Sequence, residues 1–259
     1  MRFVEPALRR RLIKMKTMCR GAVERLDAEK SEDRLQVLLH NQRYDFALKR
    51  ISNEDTVLEI GTGAGFFSRI LAEHCQSYTG IEIDSEACQE TRRRVQGRGQ
   101  VIQGDAQSLP FEDRSYSAAI CLEVLEHLPD FRKAVKEIHR CLKPGGQGII
   151  SVPYRKHGGK NPLNRFHLYE PGERELVENF EAYFANVDAS YQFFEETTVM
   201  TMARILRIRR FLGLASAYRD LSLGEPSALK KVKIGDRSEG MNFTLLLVVS
   251  NRRDIPQTP

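Results

Sequence analysis

The stretch Thr56-Val57-Leu58-Glu59-Ile60-Gly61-Thr62-Gly63-Ala64-Gly65 decides how the rest of this chain is read. Its apolar start reads as a strand at about 56–60, and Phe66 to Glu73 continues with helical spacing. Between them, glycine at every second position lets the backbone turn tightly and approach a ligand where a Cβ would collide. The helix that follows points free N–H groups and a partial positive charge into that turn. Such a strand–turn–helix is a site for a nucleotide-type cofactor at the carboxyl edge of a first strand. Glu59, two places before the first glycine, selects among ligands, because a carboxylate there repels a pyrophosphate and suits a cationic nucleoside. The dinucleotide fingerprint also wants glycine at its sixth place, where this chain has Phe66.

Working outward, strands and helices alternate from residue 55, the rhythm of a parallel sheet with helices on both faces. Strands are expected at about 56–60, 78–83, 100–103, 117–122 and 147–152, with helices at about 66–74, 85–96 and 130–141. Lys143-Pro144-Gly145-Gly146 reads as a helix stop followed by a turn. After 152 the rhythm changes. A Pro/Gly/Asn-rich loop precedes a helix at 172–180 and a strand near 184–193. Residues 196–239 carry a basic helix and then an irregular polar stretch, and Met241 to Ser250 reads as a buried strand closing the sheet antiparallel. This divides the chain into an N-terminal basic helical extension (1–50), a cofactor-binding core (51–195), a basic helical insertion or lid (196–240) and a final strand with tail (241–259).

Three further motifs repeat the theme of acids at strand ends. Gly80-Ile81-Glu82-Ile83-Asp84 ends the second strand, and Glu82 falls about 20 residues after the turn, where a carboxylate accepts both ribose hydroxyls. Ile83 then lies against the adenine face, while Asp84 or Ser85 suits a helix N-cap. Gly104-Asp105-Ala106 follows the third strand, with Asp105 placed to accept from an adenine amino group and the adjacent N–H to address a ring nitrogen. The fourth strand delivers Cys121-Leu122-Glu123-Val124-Leu125-Glu126-His127 over the same crevice.

In this order and spacing, E-x-G-x-G-x-G, GIEID, GDA-x-x-LPF, EVLEHL and LKPGG resemble the class I S-adenosylmethionine-dependent methyltransferases, and most closely the small-molecule branch that holds the ubiquinone-biosynthesis enzymes. The likeness covers about residues 40–155. It implies a doubly wound, seven-stranded, mostly parallel Rossmann-like sheet with an antiparallel finish. It also implies S-adenosyl-L-methionine held by Glu59, Gly61, Thr62, Gly63 and Gly65, by Glu82 and Ile83, by Asp105 and Ala106, and by Leu122. Ser117 departs from the pattern, since many relatives begin the fourth strand with Asp; the change is expected to affect strand entry and not the cofactor.

The activity implied is methyl transfer to a small-molecule or lipid-like acceptor, most simply at oxygen, with proximity as the main source of rate. His127 is the candidate base for the acceptor's proton; a helix-start histidine bonded to backbone is the other reading of the same residue. Tyr154, His157, His167 and Tyr169, on the loop after the fifth strand, are candidate acceptor contacts. Glu123, Glu126, His127 and His167 resemble the Glu/His set that small-RNA 2′-O-methyltransferases place around a divalent ion. The string also occurs in metal-free relatives, and no metal is expected.

Composition bounds these readings. The net charge is +5, with nine Lys/Arg against four acids in residues 1–30 and nine against three in residues 200–237, around an acidic body. That asymmetry suits peripheral contact with an anionic membrane or a phosphorylated partner, and equally two solvated helices. The amphipathic stretch Met202 to Leu212 fits a lid or an interfacial helix. Nothing resembling an aromatic stacking platform accompanies the basic residues, which counts against nucleic acid, although a pI near 9.0 keeps an RNA methyltransferase as the rival activity. A non-catalytic module retaining the fold is the rival from another class, and intact acids at all three cofactor positions count against it. Leu245 to Val249 is too short to span a bilayer, no signal-type apolar segment opens the chain, and five scattered cysteines suit a reducing compartment. A cytoplasmic protein is the expectation.

Overall fold

The computed structural model describes residues 34–162, 164–194, 232–235 and 241–251. The basic stretch expected at 1–30, the basic helix expected after 196 and the tail from Arg252 lie outside these residues. Strands β1 (Thr56–Ile60), β2 (Ser77–Glu82), β3 (Gln100–Gln103), β4 (Tyr116–Leu122), β5 (Leu142–Pro153), β6 (Asn186–Phe194), β7 (Val232–Gly235) and β8 (Met241–Ser250) form one sheet. Its order is β3-β2-β1-β4-β5-β8-β6-β7. The first five strands run parallel, and β8 lies antiparallel between β5 and β6. The sheet thus has the expected doubly wound form with its antiparallel finish. The short edge strand β7 adds one more pairing, antiparallel to β6. It falls inside the segment read as helical and irregular, and that reading is corrected there: pairing with β6 overrides the weak local signal of Val232-Lys233-Ile234-Gly235.

Burial on both sides explains why the central strands are almost continuously apolar. Val57, Leu58 and Ile60 of β1 and Ala118 to Cys121 of β4 are all buried. One core cluster joins Leu58, Ile60, Ala119 and Cys121 to α4 (Phe131–Cys141) and α5 (Glu173–Glu181). The other joins Val57, Ala118 and Ile120 to α1 (Arg34–Leu48), α2 (Phe66–His74) and α3 (Ser85–Val95). α4 shows the amphipathic logic plainly, with Phe131, Ala134, Val135, Ile138 and Cys141 forming its buried stripe. Tyr44 and Ala47 of α1 pack into the second cluster, beside Val57 of β1 and Phe67 of α2.

The helix stop at 142–146 is present, since α4 ends at Cys141. The expected turn is not. Leu142 enters β5 directly, Gly145 absorbs the irregularity at φ 74°, and the β4/β5 register shifts between Tyr116 and Ala118. Ser117 ties β1 to β4 at the strand entry: its hydroxyl donates to Asp55 Oδ1 at 2.6 Å and accepts from the Thr56 N–H at 2.9 Å. No helix among the described residues is long and apolar enough to cross a membrane.

Candidate functional site

Strand order reverses between β1 and β4, and in an open parallel sheet a ligand crevice forms at the carboxyl ends beside that reversal. A cavity of about 860 Å³ lies there. Its wall comes from the residues that leave β1 (Gly61–Phe67), β2 (Glu82, Ile83), β3 (Gly104–Gln107) and β4 (Leu122–Pro129), roofed by α1 and by the loop around His167.

The glycine turn is shaped by contacts beneath it. The Gly61 N–H donates to the Ile81 carbonyl at 2.8 Å, and Gly65, at φ 75°, starts α2. A Cβ on Gly65 would lie 2.6 Å from Thr91 Oγ1, and one on Gly61 would strike Val124. Gly63, also left-handed at φ 54°, has open space where a Cβ would stand. Its N–H donates to Glu82 Oε2 at 2.8 Å, while Glu82 Oε1 accepts from the Asp84 N–H at 3.1 Å. Asp84 is the N-cap of α3 through the N–H groups of Glu86 and Ala87. Ile83 is 64% exposed although apolar, an exposed flat face turned to the cavity. Asp105 Oδ1 accepts from the Gln107 N–H at 2.8 Å, and the Gln107 side chain also spans the carboxylate. Ala106 and Leu122 line the same wall.

Glu59 occupies a different place from the one its position in the motif suggests. Its side chain does not line the cavity; it is 1% exposed and sits beneath the turn. Its carboxylate accepts from Ser68 Oγ at 2.6 Å, Tyr78 OH at 2.6 Å and Tyr44 OH at 2.9 Å. Burial raises its pKa against the opposing effect of the three hydroxyls. Both tyrosines are raised as well, first by burial and then by the neighbouring carboxylate. A direct ligand contact by Glu59 is thus corrected to a structural role: it knots α1, β2 and α2 together under the turn.

α1 contributes two residues that the sequence reading passed over. Arg43 is only 4% exposed, yet it lines the cavity. Its NH1 donates to Gln192 Oε1 at 3.1 Å and Thr244 Oγ1 at 3.3 Å, and its NH2 donates to His40 Nδ1 at 2.8 Å. Its Nε has no hydrogen-bond partner, and no carboxylate pairs with it among the described residues. Burial, and then Arg43 itself, lower His40 to about 3, so that imidazole is neutral. The signal was available in the sequence: Arg43 stands one turn from Leu39 and Ala47, on the apolar stripe of the helix.

At the opposite end, the 3-10 turn Leu125–His127 carries His127 to the cavity. His127 Nδ1 faces the Phe166 carbonyl at 3.0 Å, and its ring meets that of His167 edge to face at 4.9 Å. His167 Nδ1 lies 2.6 Å from Glu170 Oε1. Burial pushes Glu170 up, but hydrogen bonds from His167, Asn161 and Arg155 outweigh it and hold the carboxyl below its ordinary range. Glu126, 1% exposed, completes the group, 3.9 Å from His127 Nε2. Glu123 adopts φ 56°, and its Oε1 accepts from Ser151 Oγ at 2.8 Å.

Of the four candidate acceptor contacts, His167 reaches the cavity and the others do not. Tyr154 turns into the core against Tyr191, Tyr169 OH donates to Glu175 Oε2 at 2.7 Å, and His157 is exposed. The loop bends back on itself through an isolated antiparallel bridge between Gly159 and Glu170.

Residues 58–150 match a family profile described as a methyltransferase domain. The chain is 32% identical over 145 residues to a probable S-adenosylmethionine-dependent methyltransferase of Mycolicibacterium smegmatis, covering 55% of this chain and 56% of that protein. A fatty-acid O-methyltransferase of the same organism is 38% identical over 93 residues, which are 35% of this chain and 34% of that one. The chain spans about half the length, or less, of the curated relatives it matches. Among solved structures, the YcgJ protein of Bacillus subtilis superposes with a TM-score of 0.58 at 19% identity, covering 83% of this chain and all of that one, which shows a shared fold.

Proposed function

We infer that this chain, whose residues 58–150 match the methyltransferase-domain profile, transfers a methyl group from S-adenosyl-L-methionine to an oxygen of a small or lipid-like acceptor. The observation that carries this reading is the convergence on one cavity of the open side of Gly63, the Glu82 carboxylate, the exposed face of Ile83 and Asp105. These residues fit the parts of the donor in order. Glu82 accepts from the ribose hydroxyls, Ile83 lies along the adenine, Asp105 with the Ala106 backbone addresses the adenine edge, and Gly61, Thr62, Gly63 and Gly65 flank the methionine arm. Arg43, buried and lacking a carboxylate partner among the described residues, suits the methionine carboxylate. When bound, the donor supplies an already electrophilic sulfonium methyl, so the chain's own task is to position an acceptor and receive its proton.

His127 stands at the acceptor end. With Nδ1 turned to the Phe166 carbonyl, Nε2 is the nitrogen that can take a proton from an acceptor hydroxyl. A lipid-like acceptor draws support from the relative named as a fatty-acid O-methyltransferase. The basic stretches at 1–30 and 200–237 support peripheral contact with an anionic membrane from which such an acceptor is drawn.

Calorimetric titration of the purified chain with the donor and with its demethylated product tests the first half, with micromolar binding expected. Incubation with methyl-labelled donor and a lipid extract, read by mass spectrometry, tests the second half. No heat of binding with either nucleoside would end the reading.

A further inference from the structure

The carboxylate of Asp105 is held by a single neighbour. Its Oδ1 accepts from the Gln107 N–H at 2.8 Å, and the Gln107 side-chain Nε2 lies 3.2 Å from both Oδ1 and Oδ2. The other end of that amide is occupied too, because Gln107 Oε1 accepts from the Asp130 N–H at 3.1 Å. A backbone N–H can only donate, so the amide oxygen must face Asp130 and the amide NH₂ must face Asp105. Asp130 is the N-cap of α4, its side chain accepting from the Arg132 N–H at 3.2 Å. Gln107 therefore reaches from the start of α4 to the carboxylate on the loop after β3. Further along, that loop is anchored without it. Glu137 Oε2 accepts from the Leu109 N–H at 2.8 Å, and Arg140 NH2 donates to the Leu109 carbonyl at 3.0 Å. These two residues of α4 set the path of the backbone, and what the Gln107 amide adds is the direction of the Asp105 carboxylate.

We propose that Gln107 sets the base specificity of the donor site, as a positioning residue that aims Asp105 at an exocyclic amino group and so refuses a 6-oxopurine. This rests on the placement of adenine at Asp105 and Ala106. A carboxylate offers about four lone-pair sites, and Gln107 engages part of them through its backbone and side-chain N–H groups. The remainder can only accept, which suits the amino group of an adenine in the cavity that Asp105 lines. Hypoxanthine presents a carbonyl in place of that amino group, and a ring N–H where adenine has a bare nitrogen. Its carbonyl would meet the carboxylate acceptor to acceptor, and its ring N–H would meet the Ala106 N–H donor to donor. A site of this kind rejects the wrong base because its own polar groups are left unpaired. Rejection fails if the carboxylate can swing aside. Gln107 prevents that, since it is the only side chain that hydrogen-bonds Asp105 among the described residues.

The test is titration calorimetry of the full chain with two ligands that differ only at that edge, S-adenosylhomocysteine and S-inosylhomocysteine. Wild type should bind the inosyl compound about 10–100-fold more weakly. Gln107→Met keeps the length of the side chain and deletes both of its hydrogen bonds. The ratio between the two ligands should then shrink about tenfold, the size expected for loss of a hydrogen bond to a charged group. Gln107→Glu keeps the acceptor for the Asp130 N–H and deletes the donor toward Asp105, so it should lose the discrimination as well. A merely structural role would weaken both ligands together and leave the ratio unmoved. Thermal melts establish that each variant is folded, and the ratio in either folded variant decides the matter. A folded variant that retains the wild-type ratio overturns the role of Gln107 while leaving the adenine placement intact. A wild type that binds both ligands equally overturns the two together.

Discussion

Glu82 Oε2 accepts a hydrogen bond from the Gly63 N–H at 2.8 Å, joining the end of β2 to the crest of the glycine turn across 19 residues of sequence. The carboxylate proposed to face the ribose thus also fixes the loop beside it. Glu82→Ala removes both effects, and donor affinity should fall by about 1–3 kcal/mol through lost charge-assisted hydrogen bonds. Titration calorimetry reads this directly. An unchanged dissociation constant in a folded variant would contradict the ribose assignment.

The three glycines of the turn should not respond alike to alanine. Gly63→Ala meets open space and carries only the left-handed backbone cost, about 1–2 kcal/mol. Gly65→Ala adds a collision with Thr91, whose Oγ1 and Cα would lie 2.6 and 2.7 Å from the new methyl. Overpacking of that kind adds about 1–3 kcal/mol. Urea denaturation should therefore rank Gly65→Ala below Gly63→Ala in stability. For donor affinity the order should reverse, because the Gly63 methyl would project where no protein atom stands. Equal stability losses would show that contacts beneath the turn do not govern it.

Glu59, the residue that opened the motif, is expected to act through stability. Glu59→Ala would strand the hydroxyls of Tyr44, Ser68 and Tyr78, each buried, at a total on the order of 3–5 kcal/mol. Its pH signature follows from the raised native pKa, caused first by burial. Above the ordinary carboxylate value the unfolded chain has released its proton while the native state still holds it. The native state therefore binds more protons, and this residue's contribution falls as pH rises toward the native pKa. Glu59→Gln has no proton to release and should flatten that slope in denaturation series run from acidic to neutral pH. A slope that survives in Glu59→Gln assigns the pH dependence elsewhere.

What was legible in the sequence is what local chemistry dictates. Gly65 had to start a helix, Asp84 had to cap one, and Glu82 and Asp105 had to sit at strand ends, because each follows from spacing within a few residues. The misplacements share one physical cause. Glu59 faces inward because two tyrosines from α1 and β2 meet it, and no pattern within β1 announces them. Tyr154 meets Tyr191 and Tyr169 meets Glu175, partners that no periodic pattern in the loop announces. β7 exists through its partner β6. Arg43 depends on Gln192 and Thr244, 149 and 201 residues further along the chain.

That last residue gives the sharpest test of how the donor lies. Arg43 presents a guanidinium that is always charged, buried at the cavity edge, and held by two neutral side chains and a neutral imidazole. A buried cation so placed is costly unless an anion joins it, and the methionine carboxylate is the anion the donor brings. Arg43→Met keeps the apolar stem and deletes the charge. Affinity for S-adenosylmethionine should fall tenfold or more, about 1.4 kcal/mol at the least. Decarboxylated S-adenosylmethionine, which lacks the anion, should bind wild type and Arg43→Met about equally. If both nucleosides lose affinity together, Arg43 serves the packing of α1 over the cavity and the carboxylate lies elsewhere.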